Sequence, residues 1–176
     1  MTADGRYVAP ARWLHWLTAG SILVILVTGF WMVFFEPANE TFKFRLYTLH
    51  ESFGVLVFVM VLARLFVRWR NPPPPLPEMP RWMKLAAGLN HGALYVLMVV
   101  QPVVGFLVTN TWGFPLKWFW LVPLPSPIGR NEVLAPILSQ IHWVGALAMV
   151  VLLVVHVAAA AQHTFVRRDG ILGRMV

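Results

Sequence analysis

Long apolar stretches, separated by short polar or proline-rich connections, dominate the pattern along the chain. An apolar helix needs about 20 residues to cross the hydrocarbon core of a bilayer. Four stretches are long enough: residues 11–35, 47–69, 84–110 and 136–166. The pattern therefore predicts an all-α integral membrane protein in which residues 1–176 form one four-helix bundle.

The three connections between these spans differ in character. Residues 36–46 are short and polar, whereas NPPPPLPEMP at residues 71–80 is typical of a stiff, extended linker. Residues 111–135 are rich in aromatic residues and proline, and we expect them to lie along the membrane interface, where tryptophan is favoured. The same preference assigns an interfacial belt to Trp13, Trp16, Trp31, Trp112 and Trp118.

Composition and charge agree with a membrane protein. Hydrophobic residues make up 59% of the chain and charged residues 12%, against about 45–50% and 25% in soluble domains. The net charge of +7 does not indicate nucleic acid, because the basic residues flank apolar blocks. They favour one side, which predicts that both termini are cytoplasmic. That side holds Arg6, Arg12, Arg64, Arg68, Arg70, Arg81, Lys84, Arg167, Arg168 and Arg174, and the other holds Lys43, Arg45, Lys117 and Arg130.

The chain has no cysteine, which excludes disulfides, iron–sulfur clusters and covalently attached haem. Histidine is the remaining source of strong metal ligands. All six histidines lie in or at the edge of a span, where ionisable groups are costly and usually functional. Any one of them, taken alone, could equally well be a core histidine whose ring nitrogens have hydrogen-bond partners, so it is their positions taken together that indicate a function. The six are His15, His50, His91, His142, His156 and His163.

The fourth span carries His142 and His156, which are 14 residues apart. At about 100° per residue they share one face of a helix, and at 1.5 Å per residue they lie about 21 Å apart along it. Alternating helix directions place His50 at the same outer level as His142, and His15 at the same inner level as His156. The sequence therefore predicts two sites, each formed by histidines from two facing helices.

Two imidazoles at each level suit two non-covalent b-type haems with both axial positions filled. Such haems have no open iron position for oxygen, so we expect electron transfer. Zinc fits less well, because it takes about four protein ligands. A transporter or structural protein without haem is a third, minor interpretation.

Other polar residues near these levels have several interpretations. His91 and His163 could each replace an inner ligand, contact haem propionates, bind a quinone or lie at the interface. Arg12 and Arg64 are candidates for anchoring propionates, because arginine binds carboxylates through two hydrogen bonds. Arg68 and Arg70 are equally well explained by contact with lipid headgroups. The candidates for a quinone site are Arg12, Asn90, His91 and His163.

Several segments, in order, resemble the bacterial cytochrome b-561 family, which is related to the b-type cytochrome subunits of nickel–iron hydrogenases and formate dehydrogenases. The segments are RWLHWLTAG, LHESFGVLV, RLFVRWRNPPPPLPEMP, GLNHGALYVLMVVQPVVGF and HVAAAAQHTFVRRDGILGRM. The resemblance implies a di-haem cytochrome of the bacterial inner membrane that exchanges electrons with ubiquinone. It also implies that the haem ligands are His15, His50, His142 and His156.

Two functions follow as hypotheses. In the first, an outer-side donor passes electrons through both haems to ubiquinone, and superoxide is a candidate because stand-alone family members include a superoxide oxidase. Glu51 stands where many members have lysine, which weakens the case for an anionic donor, whereas Lys43 and Arg45 nearby favour one. Flow from quinol to a periplasmic acceptor is equally compatible. In the second hypothesis, the chain is the membrane anchor and electron relay of a dehydrogenase, with residues 111–135 as its docking surface.

Overall fold

The computed structural model describes residues 5–35 and 38–176, and four long helices account for most of them. They are α1 (Ala9–Phe34), α2 (Glu40–Arg70), α3 (Arg81–Trp112) and α4 (Leu134–Ala161), and α4 continues into a π-helical turn at Gln162–Arg167. Each helix is long and apolar enough to cross a membrane. The predicted all-α membrane fold is therefore confirmed.

The helices extend beyond the predicted spans. The predicted connection at residues 36–46 is wrong in part, because α2 begins at Glu40. Asn39 caps this helix, its side-chain oxygen accepting the N–H of Phe42 at 3.0 Å. The first turns of α2 are polar, so hydropathy detects only the part of the helix suited to lipid.

The proline-rich linker is confirmed as non-helical, since α2 ends at Arg70 and α3 begins at Arg81. Two arginines from the end of the chain hold it. Arg167 donates to the carbonyl of Glu78 at 3.0 Å, and Arg174 donates to that of Pro75 at 2.6 Å. The end of the chain, the linker and the start of α1 therefore meet at one end of the bundle.

The connection between α3 and α4 contains a short antiparallel hairpin, formed by β1 (Lys117–Trp118) and β2 (Val122–Pro123). It folds back onto α2, where the indole of Trp118 donates to the carbonyl of Ser52 at 3.2 Å. The backbone N–H of Phe119 donates to the hydroxyl of the same serine at 2.7 Å. The hairpin is therefore anchored two residues beyond His50.

A layer of apolar side chains fills the middle of the bundle. Helix packing joins α1 to α2, α2 to α3, and α3 to α4, whereas α4 is not closely packed against α1 or α2 in the described part of the chain. Any histidine pair that joins α4 to those helices must therefore face across a space between them. The buried core residues are Ile22, Val57, Met60, Val61, Leu94, Met98 and Met149.

Candidate functional site

Each helix of the bundle carries two residues of interest spaced by 14 positions. Because 14 residues are almost four complete turns, both members of a pair lie on the same face, about 21 Å apart. The structure thus has two levels on opposite sides of the apolar core, which we call outer and inner after the predicted orientation. The outer level consists of Gly29, His50, Gly105 and His142, and the inner level of His15, Arg64, His91 and His156.

At the outer level, the rings of His50 and His142 face each other with their centres 6.2 Å apart. Nδ1 of His50 lies 3.0 Å from the carbonyl of Ile25 and 3.2 Å from the hydroxyl of Thr28. A ring whose Nδ1–H donates to a carbonyl presents Nε2 as its free nitrogen, which is the usual arrangement of a metal-binding histidine. The contacts of His50 therefore orient Nε2 for a metal.

Two glycines stand directly behind these rings. A Cβ atom at Gly29 would lie 3.1 Å from Cε1 of His50, and one at Gly105 would lie 3.0 Å from Cε1 of His142. Both distances are too short for a relaxed contact, so neither position accepts a side chain without displacing the ring. Nδ1 of His142 is buried and has no hydrogen-bond partner among the described residues.

The carboxyl group of Glu51 lies at the same end of the bundle. The hydroxyl of Thr109 donates to it at 2.6 Å, which joins α2 to α3 beside Gly105. Glu51 is thus a hydrogen-bonded part of the outer level, adjacent to His50. Its position satisfies the requirement that a partly buried carboxyl group have a polar partner.

At the inner level, His15 and His156 face each other with ring centres 6.3 Å apart. His91 is also close, with its centre 5.3 Å from that of His156. A guanidinium nitrogen of Arg64 lies 3.2 Å from Nδ1 of His15. Because arginine only donates, Nδ1 of His15 accepts here, and the ring proton is then on Nε2. His15 would bind a metal through Nε2 only if Arg64 turned to another acceptor and left Nδ1 to carry that proton.

These spacings test whether haem fits. Metal–imidazole bonds of about 2.0–2.1 Å, with each ring centre about 1.1 Å behind its nitrogen, set the centres about 6.3 Å apart. The pairs His50–His142 and His15–His156 match this value, whereas 5.3 Å between His91 and His156 is too short. Across the described residues, no three His, Cys, Asp or Glu side chains converge to hold an ion by themselves. Two-ligand sites suit a metal already held by a macrocycle.

Two predicted site residues bond to backbone carbonyls. The amide of Asn90 donates to the carbonyl of Leu152 at 3.1 Å, which ties α3 to α4 one turn before His156. The guanidinium of Arg12 donates to the backbone oxygen of Val176 at 2.6 Å. The structure thus places Asn90 one turn from His156 and joins Arg12 to Val176.

His163 lies in the π-helical turn and is buried. Its Nδ1 is 2.6 Å from a carboxyl oxygen of Asp169, and the side chain of Arg167 donates to the same oxygen at 3.2 Å. Burial raises the pKa of Asp169, but hydrogen bonds from His163, Arg167 and the N–H of Ile171 outweigh it, so this pKa is lowered overall. His163 is therefore fixed by a carboxylate beyond the end of the span.

Sequence reasoning missed the approach of Gly29 and Gly105 to the histidine rings and the contact of Arg64 with the ring of Tyr95, 5.4 Å from its centre. The 14-residue spacing that relates His142 to His156 also relates His15 to Gly29 and His91 to Gly105. Applying it to all the helices would have identified both glycines. Tyr95 carried no comparable signal, because its importance depends on how α3 is rotated against α2.

Comparison with known proteins shows the family of the chain. The family model described as Prokaryotic cytochrome b561 matches residues 6–176. The chain is 30% identical to Cytochrome b561 homolog 2 of Escherichia coli K12, covering 97% of this chain and 91% of that protein. It is 26% identical to Cytochrome b561 homolog 1 of the same organism, covering 97% of both chains. It is 25% identical to the Probable superoxide oxidase CybB of Yersinia pestis, covering 93% of this chain and 91% of that protein.

Proposed function

Since the chain belongs to the prokaryotic cytochrome b561 family, a family of haem-containing electron-transfer proteins of bacterial membranes, we propose that it carries electrons across the bacterial inner membrane between an outer-side donor and ubiquinone. Two b-type haems would serve, one held by His50 and His142 and one by His15 and His156. The observation that supports this is the pair of ring spacings, 6.2 and 6.3 Å, at two levels of one helix.

A haem with both axial positions filled supplies one-electron transfer without an open site for oxygen. The protein's own residues set the conditions for it. Helix α4 contributes one ligand to each level, which fixes the distance between the levels. Apolar residues between the levels, such as Val57, Val61 and Met149, exclude water, and the carbonyl of Ile25 holds the ring of His50 in orientation.

On the outer side we propose superoxide as the donor. The support is the similarity to a protein described as a probable superoxide oxidase. Glu51 argues against an anionic donor by its charge, because the hydrogen bond from Thr109 stabilises that charge rather than removing it. Lys43 and Arg45 near the start of α2 favour such a donor. On the inner side we propose that His91 contacts ubiquinone, because Arg12 and Asn90 already donate to carbonyls and His163 is buried and paired with Asp169.

Haem content tests the central proposal. Pyridine haemochrome measurement of the purified protein should give two haems b per chain. His50→Ala and His142→Ala should each remove one spectral component, and His15→Ala and His156→Ala should each remove the other. His163→Ala serves as the control and should retain both. A colourless protein, or loss of the inner component in His163→Ala but not in His156→Ala, would refute the assignment.

Donor and acceptor need a kinetic test. Stopped-flow mixing of the oxidised protein with superoxide should reduce the haems faster than superoxide dismutates by itself. Subsequent ubiquinone should reoxidise them. Haems that superoxide does not reduce within that time would eliminate superoxide as the donor and leave the two-haem proposal intact.

A second candidate function is a membrane anchor and electron relay for a dehydrogenase. The hairpin between α3 and α4 favours it, because Trp120 and Leu121 at its tip are 51% and 80% exposed and could contact a partner. Purification in mild detergent with a stoichiometric dehydrogenase would support this function. A chain that oxidises superoxide and reduces ubiquinone alone would count against it.

A further inference from the structure

The inner level contains a cationic cluster with an aromatic ring at its centre. The guanidinium carbons of Arg64 and Arg68 lie 5.4 and 5.9 Å from the ring centre of Tyr95. The two arginines are one turn apart on α2, and Tyr95 is one turn beyond His91 on α3. Both guanidinium groups are thus held against the same ring, and that of Arg64 reaches His15 at the inner level.

The charge of this cluster is not balanced by the described part of the protein. No carboxylate there lies within 4.0 Å of Arg64 or Arg68. Asp169 is the nearest acidic residue along the chain to His156, and its carboxyl group is already paired with His163 and Arg167. The face of Tyr95 offers only a partial negative charge, which does not neutralise two cations. Two permanent positive charges in a membrane span favour an anionic ligand.

The ligand geometry at His15 indicates which anion suits the cluster. Arg64 now donates to Nδ1 of His15, and this contact competes with metal binding through Nε2. A carboxylate is the acceptor that best matches a guanidinium, because it accepts two parallel hydrogen bonds. If Arg64 bound a carboxylate, Nδ1 of His15 would be free to carry the proton that a metal-binding ring requires.

We propose that Arg64, Arg68 and Tyr95 form a site for the two propionate groups of the inner haem, and that this site favours the electron at the inner level over the outer one. Arg64 and Arg68 bind the carboxylates, and the ring of Tyr95 positions the two guanidinium groups. Positive charge stabilises the reduced haem, which carries one more electron. This inference rests on the proposed function, because it requires a haem between His15 and His156.

The outer level supplies the contrast. The residues on the corresponding faces of α1 and α3 are Gly29 and Gly105, and Glu51, which follows His50 on α2, accepts a hydrogen bond from Thr109. The arginine pair at the inner level therefore has no counterpart among Gly29, His50, Gly105 and His142, and its positive charge biases an electron inward.

A spectroelectrochemical titration of purified variants tests the inference. The component lost in His15→Ala identifies the inner haem, and the outer haem is an internal reference. Arg64→Gln and Arg68→Gln should each lower the midpoint potential of the inner haem by about 59 mV, which corresponds to a roughly tenfold change in its reduction equilibrium. The outer midpoint should stay unchanged. Arg64→Lys should give a smaller shift, since lysine keeps the charge but not the paired hydrogen bonds.

Matched variants separate a specific effect from misfolding. Arg70→Gln is the control, because Arg70 lies on the same helix end but contacts Phe66 and Trp69 instead, and it should leave both midpoints unchanged. Tyr95→Leu should lower the inner midpoint, whereas Tyr95→Phe keeps the ring and should match the wild type. Loss of the inner haem alone in Arg64→Gln would also support the site.

Two results would overturn the inference. The first is an inner haem that keeps its content and midpoint in both Arg64→Gln and Arg68→Gln. The second, for the role of Tyr95, is an unchanged inner midpoint in Tyr95→Leu. Both differ from a failure of the proposed function itself, in which the wild-type protein would contain no haem.

Discussion

The outer and inner levels are built on the same four helices yet have opposite characters. Each helix repeats its inward face after 14 residues, and α4 places a histidine at both positions. On α1 and α3, however, the outer level has glycine where the inner level has His15 and His91. On α2 the histidine is at the outer level, as His50, and the inner level has Arg64. One face therefore provides space at one level and positive charge at the other.

This difference teaches that two similar histidine pairs can depend on different physics. The outer pair depends on the absence of side chains, because a Cβ atom at Gly29 or Gly105 would lie only 3.1 or 3.0 Å from the ring of His50 or His142. The inner pair lies among donors, including Arg64 and the neighbouring imidazole of His91. Steric substitutions should therefore affect the outer level, and polar substitutions should affect the inner level.

The largest expected effect is steric. Gly105→Ala should displace the ring of His142, because the new Cβ would lie 3.0 Å from Cε1, and such overpacking costs about 1–3 kcal/mol. We expect most of the outer haem component to be lost while the inner one remains, as measured by haemochrome content and reduced-minus-oxidised spectra.

Gly92→Ala on the same helix is the control for this experiment, since a Cβ there meets nothing within 4 Å. Gly29→Ala should act in the same direction as Gly105→Ala, through His50. Full retention of the outer component in Gly105→Ala would show that the glycine is not needed for the site.

The next effect concerns the inner level. Asn90→Ala should remove the hydrogen bond to the carbonyl of Leu152 and lower the free energy of unfolding by about 0.5–1.5 kcal/mol. If Asn90 only joins α3 to α4, the KM for ubiquinone should not change. Asn71→Ala is the comparison, because its amide bonds within its own helix turn. A raised KM without loss of thermal stability would return Asn90 to the quinone site.

Much of this comparison was accessible from the sequence, because both the helices and the histidine levels are periodic features. Hydropathy located the four spans, and the spacing of His142 and His156 predicted two levels. The structure places the rings of His50 and His142, and those of His15 and His156, at distances that suit a shared metal. Their role as ligands stays a prediction.

Other features depend on contacts that periodicity does not encode. The early start of α2 at Glu40 depends on the cap at Asn39, and polar helix ends are invisible to hydropathy. The π-helical turn that directs His163 to Asp169 departs from the regular helix on which spacing arguments rest. The approach of Arg68 to Tyr95 requires the relative rotation of two helices, which a single sequence does not provide.

A smaller effect should appear at the outer level when a polar contact is removed. Thr28→Val should leave the outer haem in place but shift its midpoint potential slightly, because the hydroxyl of Thr28 lies 3.2 Å from Nδ1 of His50 while the carbonyl of Ile25 still holds the ring. Thr48→Val is the control, since its hydroxyl bonds only within α2. Loss of the outer haem in Thr28→Val would mean that this level also relies on polar contacts.

The smallest effect should lie beyond the inner level, at Asp169. Its pKa is lowered, because hydrogen bonds from His163, Arg167 and the N–H of Ile171 outweigh the effect of burial. The carboxylate therefore stabilises the folded chain at pH values above its ordinary pKa, and this stabilisation is lost as the pH falls through the lowered pKa. Asp169→Asn should lower the melting temperature at neutral pH, and its difference from the wild type should shrink on acidification.

Glu132→Gln is the control, because it removes an exposed pair with Arg130 and should change the melting temperature little. A difference that instead grows on acidification would show that the contact between His163 and Asp169 does not depend on a carboxylate. Both haems should remain in Asp169→Asn, because Asp169 holds the end of the chain and touches neither histidine pair.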